Sequence, residues 1–279
     1  MRLAVVPSQE FRQALNQCAK DTGFAWQLVV VKDGQPVGWT PDLQRTFPLA
    51  SVTKLLSTWA YLVAVEAGKV SFSDEVGPAS FAHLLAHASG LSMDSPQLVA
   101  PAGVRRVYSN YGIELAGQHV EERVQMPLAQ WIRTTVLEPL SMLRTKVEDS
   151  PAYSGVSTTG DLQKFLAEIM APTLISPQLA RLARTPQFPG LPGILPGYGR
   201  QVDNAWGYGF EIRDHKHPHW TSPQSGPETF GHFGQSGSFL WVDPTKNLGA
   251  AFLGEQRFGE VHRQVWPPLN TAIVAEFSD

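Results

Sequence analysis

The stretch Phe47-Pro48-Leu49-Ala50-Ser51-Val52-Thr53-Lys54 leads from an extended, proline-containing segment into an apolar helix predicted from Ser51 to Ala67 and ended by Gly68. Residues three apart on a helix share a face, so Lys54 stands beside Ser51. A serine hydroxyl is a weak nucleophile near neutral pH unless a base takes its proton. A lysine held against it and partly desolvated keeps a neutral amine within reach and can be that base. Placing the serine at the helix start adds the positive end of the helix dipole beside a developing oxyanion. Alone, the pattern equally describes a serine capping a buried helix and a lysine whose ammonium reaches solvent.

Outward from this helix, residues 8–20 have helical spacing, with Ser8 placed to cap them. Phe24 to Val31 reads as a strand, Asp33-Gly34 as a hairpin turn and Gln35 to Trp39 as the returning strand. Helices are predicted at Phe81–His87, Asn110–Glu122, Pro127–Val136, Thr159–Met170 and Pro177–Arg184, and Gln187 to Gly199 reads as a surface loop. Strand character returns at Trp206–Arg213, Thr229–His232, Ser236–Val242 and Gly249–Leu253. A helix over Glu260–Phe277, delayed or kinked by Pro267-Pro268, closes the chain. Strands at both ends of a helical middle predict an α/β (α+β) fold in which an antiparallel sheet is flanked by helices. Residues 1–70 and 200–279 would form one discontinuous mixed sheet domain, and residues 71–199 an inserted, mainly helical lobe.

The 279 residues carry 43% hydrophobic and 17% charged side chains, enough for a substantial core. Twenty-two basic against 25 acidic residues leave a net charge of −3, which argues against nucleic acid or an anionic membrane as partner. Cys18 is the single cysteine, which excludes an intrachain disulfide and a multi-cysteine metal site. No apolar run reaches the ~18 residues a membrane span needs. The short apolar start Met1–Val6 meets polar sequence from Ser8, unlike a signal peptide, so the expected location is cytoplasmic.

Two further motifs give Ser51 and Lys54 chemical company. Tyr108-Ser109-Asn110 precedes an apolar helix. A tyrosine can complete a proton relay from nucleophile to leaving group, and an asparagine can bond a substrate amide and orient the lysine. Gly231-His232-Phe233-Gly234-Gln235-Ser236-Gly237 lies on a predicted strand, where glycines let substrate approach the backbone amides.

In this order, Ser51-x-x-Lys54, Tyr108-x-Asn110 and His232-x-Gly234 resemble the three motifs of the penicillin-recognising serine enzymes. Lys32-Asp33-Gly34 also imitates the third motif, but it precedes the serine and sits in a hairpin turn. Leu84-Leu85-Ala86-His87-Ala88-Ser89-Gly90-Leu91, Glu138-Pro139-Leu140-Ser141-Met142, Gly155 to Leu162 and Gly231 to Pro244 extend the similarity over roughly residues 25–255. They point to the class C β-lactamase-like subgroup, which includes D-aminopeptidases and family VIII esterases. The resemblance implies a β-lactamase/transpeptidase-like fold and an acyl-enzyme on Ser51. Lys54 would accept the proton, Tyr108 would act with it as general base or acid, and Asn110, His232, Phe233, Gly234 and Gln235 would bind substrate. The amides of Ser51 and Gln235 would form the oxyanion hole, with no metal or organic cofactor.

The third motif departs from the usual Lys-Thr-Gly. A histidine is only partly charged near neutral pH and Phe233 offers no hydroxyl, which would cost a substrate carboxylate about 2–4 kcal/mol of recognition. A small neutral ester or amide is therefore the expected substrate, acted on by a serine hydrolase of esterase or amidase type. The alternatives are a β-lactamase or D-alanyl-D-alanine carboxypeptidase-like enzyme taking β-lactams, and a non-catalytic binding protein retaining the fold.

Other features are assigned to structure. His215, His217 and His219 alternate as zinc ligands on a strand would, but without a cysteine and with Pro218 inside they read as a solvated hairpin loop. Trp206, Tyr208 and Phe210 read as one strand face with a ring lining the pocket, His87 as a packed residue near a helix end, and Cys18 as buried.

Overall fold

The structure, a computed structural model, describes residues 7–278, so Met1–Val6 and Asp279 lie outside it. Its centre is a six-stranded antiparallel sheet. In spatial order the strands are Gln35–Trp39, Trp26–Lys32, Leu248–Gly254, Ser238–Asp243, Phe230–Gly234 and Glu211–Ile212. The first strand pairs with the last from Trp26↔Gly254 to Lys32↔Leu248, so the two ends of the chain meet in mid-sheet.

Period-two alternation gives the sheet two apolar faces. Leu28, Val30, Phe239, Trp241, Ala250 and Phe252 pack against the helices Gln9–Thr22 and Glu260–Phe277. Val29, Val31, Leu240, Val242, Ala251 and Leu253 join the opposite core, which contains the serine helix Thr53–Glu66 and the helix Thr159–Met170. With both faces covered, Leu248–Gly254 is buried at every position.

The serine helix is apolar all round because it has neighbours on every side. Its tyrosine, Tyr61, donates to the Ile113 carbonyl (3.2 Å) in the helix Asn110–Val124, and Trp131 Nε1 donates to Ala60 O (2.8 Å). Thr159–Met170, assigned by sequence to the inserted lobe, instead lies against the first and last paired strands.

Several elements differ from expectation. The serine helix begins with a 3-10 turn, Ala50–Val52, before Thr53. Helix Phe81–Leu85 stops short of His87, whose φ of 53° turns the chain. Leu128–Ile132 is α-helical, and Arg133–Leu137 widens into a π-turn. The expected loop Gln187–Gly199 contributes to a hairpin, Gly193–Leu195 with Gly199–Gln201. The expected strand Trp206–Arg213 shrinks to Glu211–Ile212, because Gly209 (φ 79°) reverses the chain and Gly207 N donates to Phe210 O (2.8 Å). Trp206, Tyr208 and Phe210 are buried on a turn, not on a strand face. The closing helix runs unbroken through both prolines from Glu260 to Phe277.

Candidate active site

Ser51 sits on the 3-10 turn directly after Ala50, a non-glycine residue at φ 45°. A left-handed L-residue costs about 1–2 kcal/mol, and its neighbours hold it there. Leu49 N donates to Gly155 O (2.8 Å), and Leu49 O accepts from Ser238 Oγ (2.8 Å). The strand Phe230–Gly234 presses against the same turn. A Cβ on Gly234 would lie 2.3 Å from Leu49 O, so only glycine fits.

Lys54 is completely buried. Its Nζ lies 2.6 Å from Asn110 Oδ1, 2.9 Å from Ala152 O and 3.4 Å from Ser51 Oγ. Desolvation pushes its pKa down from 10.5 to about 7, partly opposed by the charges of Glu114 and Asp94. A neutral amine has two N–H bonds and one lone pair. With the N–H bonds donated to Asn110 and Ala152, the lone pair is left for the serine hydroxyl.

Tyr108 approaches Ser51 from the other side and donates its hydroxyl to Ser51 Oγ at 2.7 Å. Burial raises its pKa well above the ordinary phenol value, so the hydroxyl keeps its proton. Tyr108 precedes Ser109, whose Oγ caps the next helix by accepting from Gly112 N (2.8 Å); Asn110 is that helix's first residue. The Asn110 amide is turned by a second contact, Nδ2 donating to Asp94 Oδ1 at 2.8 Å.

His232 Nε2 lies 3.3 Å from the Tyr108 hydroxyl, and its Nδ1 lies 2.6 Å from Phe233 O. A carbonyl oxygen only accepts, so Nδ1 carries the hydrogen and Nε2 the lone pair. Desolvation, with repulsion from Lys54, lowers His232 to about 3. It is thus a neutral ring beside the Tyr108 hydroxyl.

Ser51, Tyr108, Asn110, His232, Phe233 and Gln235 line one cavity of about 100 Å³. Lys54 joins them through its contact with Ser51, and Gly234 through its approach to Leu49. Phe233 directs its ring away from this group, into the aromatic cluster of Tyr198, Trp220, Phe258 and Trp266, and is only 5% exposed. His87 is buried with its ring 4.6 Å from that of Tyr108, and Trp206 packs on both His87 and His232.

Some partners carried no sequence signal. Ala152 contributes a backbone carbonyl, which no residue type encodes. Glu211 also lines the cavity and is buried. Its carboxylate accepts from Lys216 Nζ (3.0 Å) and Trp220 Nε1 (2.7 Å) and lies 2.8 Å from His219 Nε2. Burial would raise its pKa, but the charges of Lys216 and His219 and the hydrogen bonds from His219 and Trp220 together outweigh that and hold it well below the carboxylate range. The segment around the alternating histidines is therefore only partly solvated: His215, His217 and Pro218 are exposed, whereas Lys216 and His219 are buried on Glu211. Among the described residues, no group of three or more His, Cys, Asp or Glu side chains could hold a metal ion, and no helix is long and apolar enough to cross a membrane.

Comparison with known proteins bears on the family and the fold. The model of the Beta-lactamase family matches residues 22–274. A crystal structure described as a β-lactamase from Mycobacterium bovis is 40% identical, with a TM-score of 0.92, over 95% of this chain and 100% of that one. The octameric penicillin-binding protein homologue from Pyrococcus abyssi (18% identity, TM-score 0.75, 95% of this chain and 76% of that one) shares the fold. So does EstCE1, described as a hydrolase with promiscuous acyltransferase activity (15%, 0.80, 95% and 97%). A search of curated proteins finds no match.

Proposed function

The chain belongs to the β-lactamase family, and on that premise we propose that it is a serine hydrolase forming an acyl-enzyme on Ser51 and cleaving neutral esters or amides. The observation that carries this is the Lys54 amine, buried, bonded to two acceptors and facing Ser51 Oγ, with Tyr108 on the same oxygen.

In this mechanism Ser51 Oγ attacks the carbonyl carbon while its proton passes to Lys54 Nζ. The oxyanion is held by the amides of Ser51 and Gln235. Tyr108, protonated and in contact with Ser51 Oγ, relays a proton to the departing oxygen or nitrogen and is recharged from Lys54. Water then attacks the acyl-enzyme by the reverse route, giving its proton to the same relay and freeing the acid. The raised pKa of Tyr108 and the lowered pKa of Lys54 favour the lysine as proton acceptor and the tyrosine as relay.

Intact-mass spectrometry after treatment with a fluorophosphonate and with p-nitrophenyl acetate tests the reading. One adduct on Ser51, lost in Ser51→Ala, is expected; labelling that survives Ser51→Ala would sink it. The 40% identical β-lactamase supports a second reading, hydrolysis of a β-lactam. Neutral His232 weighs against it, since the substrate carboxylate would face a lone pair. Nitrocefin turnover comparable with ester turnover would favour that second reading.

A further inference from the structure

Beside the Ser51 cavity runs a second, larger groove of about 380 Å³. The two share Met93, Tyr108 and Pro196 as lining, so the groove borders the Ser51 cavity at Tyr108. Its other walls include Val99, Val107 and Ile194. Ile194 stands on the hairpin Gly193–Leu195, docked by the bond from Arg106 N to Pro192 O (2.9 Å). Met93, Val99 and Ile194 are 47%, 41% and 68% exposed, apolar surface with no partner in the fold.

The two arginines that line the groove are held by backbone carbonyls, Arg106 buried in the wall and Arg105 exposed at its rim. Arg106 donates to the carbonyls of Ala86, Gln187, Phe188 and Asn204, and Arg105 Nη2 donates to Val99 O. Among the described residues lining the groove there is no carboxylate. Its apolar walls at Met93, Val99, Val107 and Ile194 fit an apolar occupant, with the Arg105 charge at the rim and turned to solvent. At about 30 Å³ per water-sized group, the Ser51 cavity holds about three non-hydrogen atoms and the groove about a dozen.

We infer that this groove binds the alcohol arm of an ester, an unbranched or lightly branched alkyl group of roughly eight to ten carbons, the small Ser51 cavity taking a short acyl group. The inference rests on the serine-hydrolase reading. Its direction follows from Tyr108: the hydroxyl that contacts Ser51 Oγ delivers the proton to the departing oxygen, so the group on that oxygen continues past Tyr108 into the groove.

Two ester series separate the possibilities: alkyl acetates from ethyl to decyl, and ethyl alkanoates from acetate to decanoate, followed by acid release. In the alkyl acetate series kcat/KM should rise about fourfold per methylene until the groove is full. In the alkanoate series it should stay flat or fall. Ile194→Asp should flatten the alkyl slope, whereas Leu143→Asp, at a surface position 82% exposed and outside the groove, should leave it intact. A slope in the alkanoate series only, no slope, or a slope untouched by Ile194→Asp overturns the inference. If ethyl acetate is hydrolysed and Ser51 labelled without any slope, only this inference falls. If neither occurs, the serine-hydrolase reading falls with it.

Discussion

The acylation rate should follow the protonation of Lys54. Its displacement from 10.5 to about 7 means that charging the amine in place is disfavoured by on the order of 5 kcal/mol relative to water. Only the neutral form can take the Ser51 proton, so kcat/KM should rise with pH on a single limb centred near 7. It should fall to about one tenth of its plateau at pH 6 and about one hundredth at pH 5. His232 changes charge near 3 and Tyr108 well above the ordinary phenol range, so neither distorts this window. Glu114 and Asp94 both favour the lysine cation, so removing either charge should move the limb toward lower pH. On the scale of partly screened pairs, Glu114→Gln and Asp94→Asn should each shift it by on the order of half a pH unit. The assay is the second-order rate of fluorophosphonate labelling of Ser51 between pH 5 and 9, which avoids alkaline ester hydrolysis. A flat profile, a limb above pH 9, or movement to higher pH in the two variants would refute the reasoning.

Other expectations come from the same contacts. Tyr108→Phe keeps the ring packing but removes the relay, and should lower kcat about 10²- to 10⁴-fold, measured with p-nitrophenyl acetate. Gly234→Ala forces a Cβ against Leu49 O and should cost about 1–3 kcal/mol in urea unfolding while also slowing labelling of Ser51. Glu211→Ala leaves Lys216 and His219 buried without their carboxylate and should destabilise the fold by about 3–5 kcal/mol. Between about pH 7 and 10.5 the folded chain holds fewer protons at Lys54 than the unfolded chain, so this residue's contribution makes stability rise with pH. The difference in unfolding free energy between wild type and Lys54→Met should therefore change across pH 7 to 9; a constant difference would contradict a depressed Lys54.

Ser51, Lys54, Tyr108 and Asn110 were legible because each is a side chain at a fixed spacing from a helix start, and helix geometry converts spacing into position. The same rule placed Thr159–Met170 and Glu260–Phe277 at their observed limits. Legibility failed where conformation depends on distant contacts. Trp206–Phe210 has strand-like alternation, yet Gly209 turns it, and the hairpin at Gly193 takes its shape from docking on Arg106. The Lys216–Glu211–His219 group was hidden because polar residues near a proline look solvated until a buried carboxylate is placed among them. Phe233, expected to touch substrate from its place in the motif, lines the Ser51 cavity, but the packing of its ring into the aromatic core carried no signal in the motif.

The pairing of Trp26–Lys32 with Leu248–Gly254 also bears on biosynthesis. The first strand, with Val29-Val30-Val31 at its centre, leaves the ribosome long before its central-sheet neighbour Leu248–Gly254. Until then one long apolar edge stays unpaired, and such edges invite association with other chains. The serine helix, whose core includes that sheet, cannot reach its final burial before Leu248–Gly254 has been made. Nascent chains interrupted before Leu248 should therefore be the aggregation-prone and chaperone-dependent species of this protein.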